Sequence, residues 1–288
     1  VSAEIIQWVD PDGGVTTLDT DWDAQGRFMP PIAVEQIGVP QTPGGVLLDV
    51  RHGVRDMLIS FWITGTNESD LRVQFRDLVR KLNPKKGNGF IKSTAPDGTV
   101  RQIECINIDG LQIVEKLGQE SGYASQKVAA QFRAFNPYWQ DVTTTAAEWA
   151  TGVTPTFFPL FPLRLTSSQI AVDTTVVNNG DVECYPVWNI TGPGSGIVLR
   201  NMSTGEFLSF PSVVMGNGQA LYIDTRPGRK TVTLGTNSSP TNMFGAMDPG
   251  SSMWSLDPGS TAVRLEMTGI TVGVSKLAVS YTQQYLTP

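Results

Sequence analysis

Four groups of residues have the types and spacing to do chemistry. The loop Gly192-Pro193-Gly194-Ser195-Gly196 would cradle a phosphate if a strand entered it and a helix N-terminus left it, so that backbone N–H groups converged on the anion. The loop instead runs into Ile197-Val198-Leu199-Arg200-Asn201, β-branched and apolar, with no Lys-Ser/Thr pair, so it reads as a turn between two strands. Asp19, Asp21 and Asp23 occupy the first, third and fifth places of a calcium loop, but Ala24 stands where the sharp-turn glycine belongs and Pro30 where the bidentate Glu belongs. An EF-hand oxygen shell cannot be completed, and no metal is expected. His52 is the chain's one histidine, and no Gly-x-Ser-x-Gly elbow accompanies it, so it reads as structural or solvent-facing. Trp188 and Trp254 are candidates for stacking an indole face on a sugar, against the ordinary place of such residues in a core. No catalytic or cofactor-binding residue emerges, and the expectation is a protein that is not an enzyme.

Composition narrows the partners. Across 288 residues the formal net charge is −6 and the pI about 4.9, which gives no general attraction for a phosphate backbone; specific nucleic-acid binding is not expected. Cys105 and Cys184 lie far apart and read as two reduced, buried thiols, not a disulfide framework or a zinc site. Even the aromatic stretch of residues 156–165 is broken by Pro159 and Pro162, so no membrane insertion is expected. The opening residues VSAEIIQWVD show no basic segment followed by an apolar one, and synthesis in a reducing cytoplasm is the expectation.

The elements that must position these residues are mostly strands. Apolar residues make up 40% and charged residues 17%, with 29 Gly and 19 Pro, a balance that suits short strands joined by turns. EIIQWVDPDGGVTTLD reads as a hairpin about Pro11-Asp12-Gly13-Gly14. Met57, Ile59, Phe61 and Ile63 alternate with Leu58, Ser60, Trp62 and Thr64, and Val128, Ala130, Phe132 and Ala134 do the same further on. Between them the spacing predicts one helix over residues 68–82, capped by Asn67 and stopped by Pro84. Leu71, Phe75, Leu78, Val79 and Leu82 form its buried stripe. Phe132, Phe135, Tyr138 and Trp139 are expected to close this first domain at its exit.

Beyond that exit a Thr/Ala-rich and then Pro-spaced stretch marks a boundary, giving a first domain at 1–141, a linker at 142–160 and a second domain at 161–288. The second domain shows no helical period. Its strands recur between turn signals such as Pro227-Gly228, Asp248-Pro249-Gly250 and Asp257-Pro258-Gly259, the pattern of an antiparallel sandwich or jelly roll.

With these stretches in view, the chain resembles the distal tail protein (Dit) family of siphophages over most of its length. In the first half the resemblance rests on the strand, capped helix, strand order ending in FRAFNPYWQD. In the second it rests on NNGDVECYPVWNITGPG, IVLRNMSTGEFLSF, ALYIDTRPGRKTVTL and MWSLDPGSTAVRLEMTG, in that order. The resemblance implies a mainly β fold: an N-terminal belt domain, a β-sandwich or split barrel with one flanking α-helix, then a C-terminal galectin-like β-sandwich. It also implies a virion structural protein, forming a hexameric ring at the tip of a long non-contractile tail. The implied partners are further copies of the chain, the tail tube protein, the tail-associated hub protein and receptor-binding proteins; no cofactor is implied. The alternative is a receptor- or carbohydrate-binding protein acting through the C-terminal sandwich.

Overall fold

The computed structural model describes residues 4–20, 24–38, 40–41, 43–113, 124–151, 170–235 and 240–288. The chain forms two compact units, Val1–Val142 together with Tyr285–Pro288, and Thr143–Gln284. Both are built from antiparallel strands.

In the first unit β1 (Ile5–Val9) and β2 (Val15–Thr20) form the hairpin read from the sequence. After them come β3 (Ile32–Gly38), β4 (Gly45–His52), β5 (Arg55–Thr64) and α1 (Glu68–Lys81). The remainder is β6 (Gly89–Thr94), β7 (Val100–Ile113), β8 (Ser125–Ala134) and β9 (Trp139–Asp141). Six strands pair in the order β7-β6-β1-β2-β5-β8, and β8 pairs back to β7, so the sheet closes into a barrel. Closure removes the free edges that would otherwise recruit other chains along the ladder. The alternation of β5 and β8 points Met57, Ile59, Phe61, Val128, Ala130 and Phe132 into a core shared with Trp8, Ile91 and Ile103. Trp8 and Phe132 lie 5.2 Å apart there.

Helix α1 covers this barrel for reasons legible in its ends and its stripe. The Asn67 side chain accepts from the Asp70 N–H at 2.9 Å, and the Asp70 carboxylate accepts from the Thr66 N–H at 2.8 Å, satisfying donors that the first turn would leave unpaired. At the other end the Trp8 indole N–H donates to the Lys81 carbonyl at 3.1 Å. Leu71 and Leu78, with Leu82 just beyond, are buried and Phe75 packs beside them. Val79 departs from the expected stripe and is 55% exposed. At about 100° per residue it stands roughly 80° round the helix from Leu71, off the covered arc.

The second unit begins with β10 (Thr145–Ala150), inside the stretch read as linker. Thr and Ala disguise a period of two, in which Ala147 and Trp149 turn inward to the core. Residues 152–160 of that stretch lie outside the described residues. The other strands are β11 (Ile170–Asn178), β12 (Val187–Thr191), β13 (Gly194–Asn201), β14 (Phe207–Met215), β15 (Ala220–Asp224) and β16 (Thr231–Gly235). They continue with β17 (Thr241–Asn242), β18 (Gly259–Thr268) and β19 (Lys276–Tyr281). They form two sheets, β10-β19-β12-β15-β16-β17 and β11-β18-β13-β14. One core lies between these sheets, contributed by Trp188, Ile190, Leu221, Ile223 and Leu277 from the first and by Ile197, Leu199, Phe210, Val263 and Leu265 from the second. This is a β-sandwich. The last strand, β20 (Gln284–Tyr285), takes its place beside β9 in the first unit's sheet.

Candidate functional site: an uncovered apolar ribbon

The Gly192–Gly196 loop, His52, the two cysteines and the two candidate tryptophans are engaged within the fold, while Asp19 is exposed. The loop at Gly192–Gly196 runs from β12 straight into β13. Its Gly192 N–H donates to the Gln219 carbonyl at 2.9 Å, and its Pro193 carbonyl accepts the Ser275 hydroxyl at 2.7 Å. A Cβ on Gly192 would sit 2.7 Å from the Gly216 carbonyl oxygen and one on Gly194 2.9 Å from the Met267 sulfur, so these glycines serve close packing at a strand corner. His52 Nδ1 lies 2.9 Å from the Tyr138 hydroxyl, with the rings edge to face, which fixes the end of β4 to the exit of the first unit. Cys105 and Cys184 are unbridged and buried, and burial raises both thiols, that of Cys184 to about 12. Asp21 and Asp23 lie outside the described residues.

Trp188 and Trp254 pack on each other inside the sandwich, ring centroids 5.1 Å apart, at 0% and 2% exposure. Neither indole offers a face to a sugar, which corrects their candidacy as stacking platforms: the sandwich needs their area for its own core. The outer face of the same sheet carries a shallow hollow of about 390 Å³ lined by Glu148, Asn189, Tyr222, Ala278 and Ser280 among others. Glu148, the charged group in that lining, is held by Lys276 at 2.7 Å.

The surface left unsatisfied is apolar. Strands β3 and β4 pair only with each other, and every residue of the two is exposed except His52, which is half-buried. Directly opposed residues share a face of the ribbon. Val34 opposes Val50 and Gln36 opposes Leu47, with Leu48 the extra residue of a bulge, so one face carries Ile32, Val34, Leu47, Leu48 and Val50 together with Gln36 and the half-buried His52. On the other face Ala33 opposes Arg51 and Glu35 opposes Asp49, and Arg51 bonds Glu35 and stands 3.6 Å from Asp49. The two faces therefore differ, one largely aliphatic and the other carrying the ion-paired cluster beside exposed Ile37 and Val46. Ribbons of two strands are marginal alone, and none of the described residues covers this one.

Its root, by contrast, is rigidly built. Arg55, the residue that opens β5, is fully buried, and its guanidinium donates to the carbonyls of Gly26 (3.3 Å), Arg27 (2.6 Å) and Phe28, just before the ribbon. It also donates to Leu286 in the C-terminal tail at 2.9 Å. Burial pulls this guanidinium down to about 10, which leaves it charged at neutral pH. The Trp139 indole N–H joins at the Arg27 carbonyl (2.8 Å), so the FRAFNPYWQD exit and the ribbon root are one structure. Phe132 and Trp139 of that motif are buried, whereas Phe135 is 66% exposed and does not close the unit as expected. Gly26 is required here: its φ is +76° and a Cβ would fall 2.0 Å from the Asp56 carbonyl oxygen. Arg101 holds the tail further along, 3.6 Å over the Tyr285 ring and 2.8 Å from the Thr287 carbonyl.

Over 98% of this chain and 99% of that one, the structure is similar to the Dit (gp 19.1) protein of phage SPP1, described as a paradigm of the hub adsorption apparatus in phages infecting Gram-positive hosts. The identity is 15% and the TM-score 0.66. A chain of the phage P2 baseplate, in its activated conformation with Ca, matches over 100% of both chains at 11% identity and a TM-score of 0.50. No protein-family model matches the sequence, and no curated protein does. The likeness is one of fold, and at that level the resemblance to the distal tail family read from the residues is borne out.

Proposed function

We propose that this chain is a virion structural protein of a long non-contractile phage tail, one subunit of a hexameric ring at the tail tip. The observation that carries the reading is the full-length fold likeness to the SPP1 Dit protein, which spans both units and not a single common domain. The first unit builds the ring, and the ring joins the tail tube to the tail-associated hub protein and, through it, to receptor-binding proteins. The work is done by docked surfaces, with no covalent step and no cofactor. The chemistry of the surface agrees: the Gly192–Gly196 loop, His52, Trp188 and Trp254 are engaged within the fold, and the exposed ribbon β3–β4 is the kind of surface assembly requires. A glycan-binding reading through Trp188 and Trp254 lacks an exposed ring on which to rest.

Labelling of whole virions tests this. An antibody raised against the purified chain should decorate the distal end of the tail in electron micrographs. Decoration along the tube or on the head, or no chain in purified virions, would overturn the proposal.

A further inference from the structure

The side of α1 turned away from the barrel carries the opposite charge to the chain as a whole. Residues 68–86 hold six basic and three acidic side chains, within a chain of net charge −6. Arg72, Arg76 and Arg80 are spaced four apart, each about 40° round the helix and about 6 Å along from the one before, so they form a row about 12 Å long. All three are exposed, and Val73 and Val79 flank the row at 56% and 55% exposure. The acidic side chains of the helix are engaged. Asp70 is held by Thr66, Asp77 by Lys81 at 2.7 Å, and Glu68 by Arg72 at 2.8 Å. Among the described residues Arg76 and Arg80 form no ion pair. Like charges four apart weaken a helix, and no described contact within the first unit offsets that cost.

We infer that this face docks an acidic segment of a different protein of the virion. Carboxylates of that segment meet Arg72, Arg76 and Arg80, and its aliphatic side chains cover Val73 and Val79. The inference rests on the virion reading above and adds to it a surface and the chemistry of the partner.

Three observations select that partner. The row mixes arginine with aliphatic side chains, the composition of protein contacts, where a guanidinium grips a carboxylate through two parallel hydrogen bonds. A nucleic-acid backbone fits less well, because Asp70 and Asp77 stand beside the row and Val73 and Val79 would lie against phosphates. A second copy of this chain is poorly supplied with free carboxylates: Asp12, Asp56, Glu148, Asp173, Asp224 and Glu266 each already hold a lysine or arginine of their own chain. A helix of 14 residues is about 21 Å long and about 10 Å wide, so its outer face covers on the order of 200 Å². Specific protein pairs bury about 1,200–2,000 Å² in total, so the row is one part of a broader contact, the part that selects for negative charge.

The experiment uses virions of a phage deleted for this gene and complemented with the full chain. A photo-crosslinking residue at Val73 is activated in purified particles and the product mapped by mass spectrometry. The expected product joins α1 to a different virion protein, on a segment with two or more Asp or Glu side chains at a spacing of about 6 Å. Arg76→Glu combined with Arg80→Glu should lower the yield of that product about tenfold with the thermal melt unchanged, since both side chains are exposed. The pair Arg76→Lys and Arg80→Lys should retain most of it. If the charge-reversed chain melts lower, Arg76→Gln with Arg80→Gln replaces it, with the same fall expected. A crosslink to another copy of this chain or to DNA, no crosslink from a chain present in the particle, or a yield unmoved by charge reversal would overturn the inference and leave the virion reading standing. A chain absent from purified virions would overturn both.

Discussion

Arg55 gives the sharpest quantitative test of how the ribbon is held. Replacing it by Met keeps length and apolar bulk but removes the donors to the Gly26, Arg27, Phe28 and Leu286 carbonyls. Hydrogen bonds from a charged donor contribute about 1.5–3 kcal/mol each; the three loop carbonyls share the two hydrogens of one guanidinium nitrogen, so with the tail carbonyl about three full bonds are lost, a gross loss of about 4.5–9 kcal/mol. Against this stands the desolvation of a fully buried guanidinium, several kcal/mol, which the substitution relieves. The expected net destabilisation of the first unit is about 2–4 kcal/mol, or a fall in Tm of about 10 °C for a unit of this size. Arg55→Lys should land between, at about 1–2 kcal/mol, because a point charge with three donors cannot fork to both the loop and the tail. Calorimetry measures the loss, and amide exchange at Arg27, Phe28 and Leu286 should rise with it. If Arg55→Met costs under about 0.5 kcal/mol, the buried guanidinium does not organise the root and the reasoning fails.

The same geometry gives three further outcomes. Asn67→Ala should cost about 1 kcal/mol in chemical denaturation, since it strips the cap from α1; no loss would mean the helix is held wholly by its stripe. Gly26→Ala should cost at least about 2 kcal/mol, from the positive φ and the Asp56 carbonyl together, and a soluble, unshifted variant would show that the root loop moves freely. The Arg133 guanidinium bonds Asp56 through both carboxylate oxygens at 2.7 Å and holds that carboxyl below its ordinary value. A depressed folded-state value means stabilisation present above the ordinary Asp range and lost as pH falls through the folded value. The gap between wild type and Asp56→Asn should therefore be flat at neutral pH and shrink below about pH 4. A gap that widens on acidification contradicts the assignment.

Legibility in the sequence depended on whether the cause was local. Helix α1 was readable because Asn67, the stripe and Pro84 lie within 18 residues, and β5 and β8 because period-two alternation is written along each strand. Val79 and Phe135 misled because apolar type signals burial while exposure is decided by neighbours far off in sequence. The ribbon was illegible as a site for the same reason: its aliphatic residues look like core, and a sequence does not say whether the cover comes from the same chain or another. The return of Tyr285–Pro288 to the first unit left almost no trace, because Arg55 and Arg101 grip carbonyls there, which any residue would provide. The available sign was an arginine at the start of a strand whose inward residues are apolar. Trp188 and Trp254 were weighed as ring platforms on residue type alone, and their burial follows from inward alternation on β12 and from the segment before β18.

The most direct test of the central claim is the rotational symmetry of the purified full-length chain in cryo-electron microscopy. The account predicts closed rings of six, with the first unit building the ring. Particles that remain single chains at every concentration, alone and with the hub protein present, would contradict it.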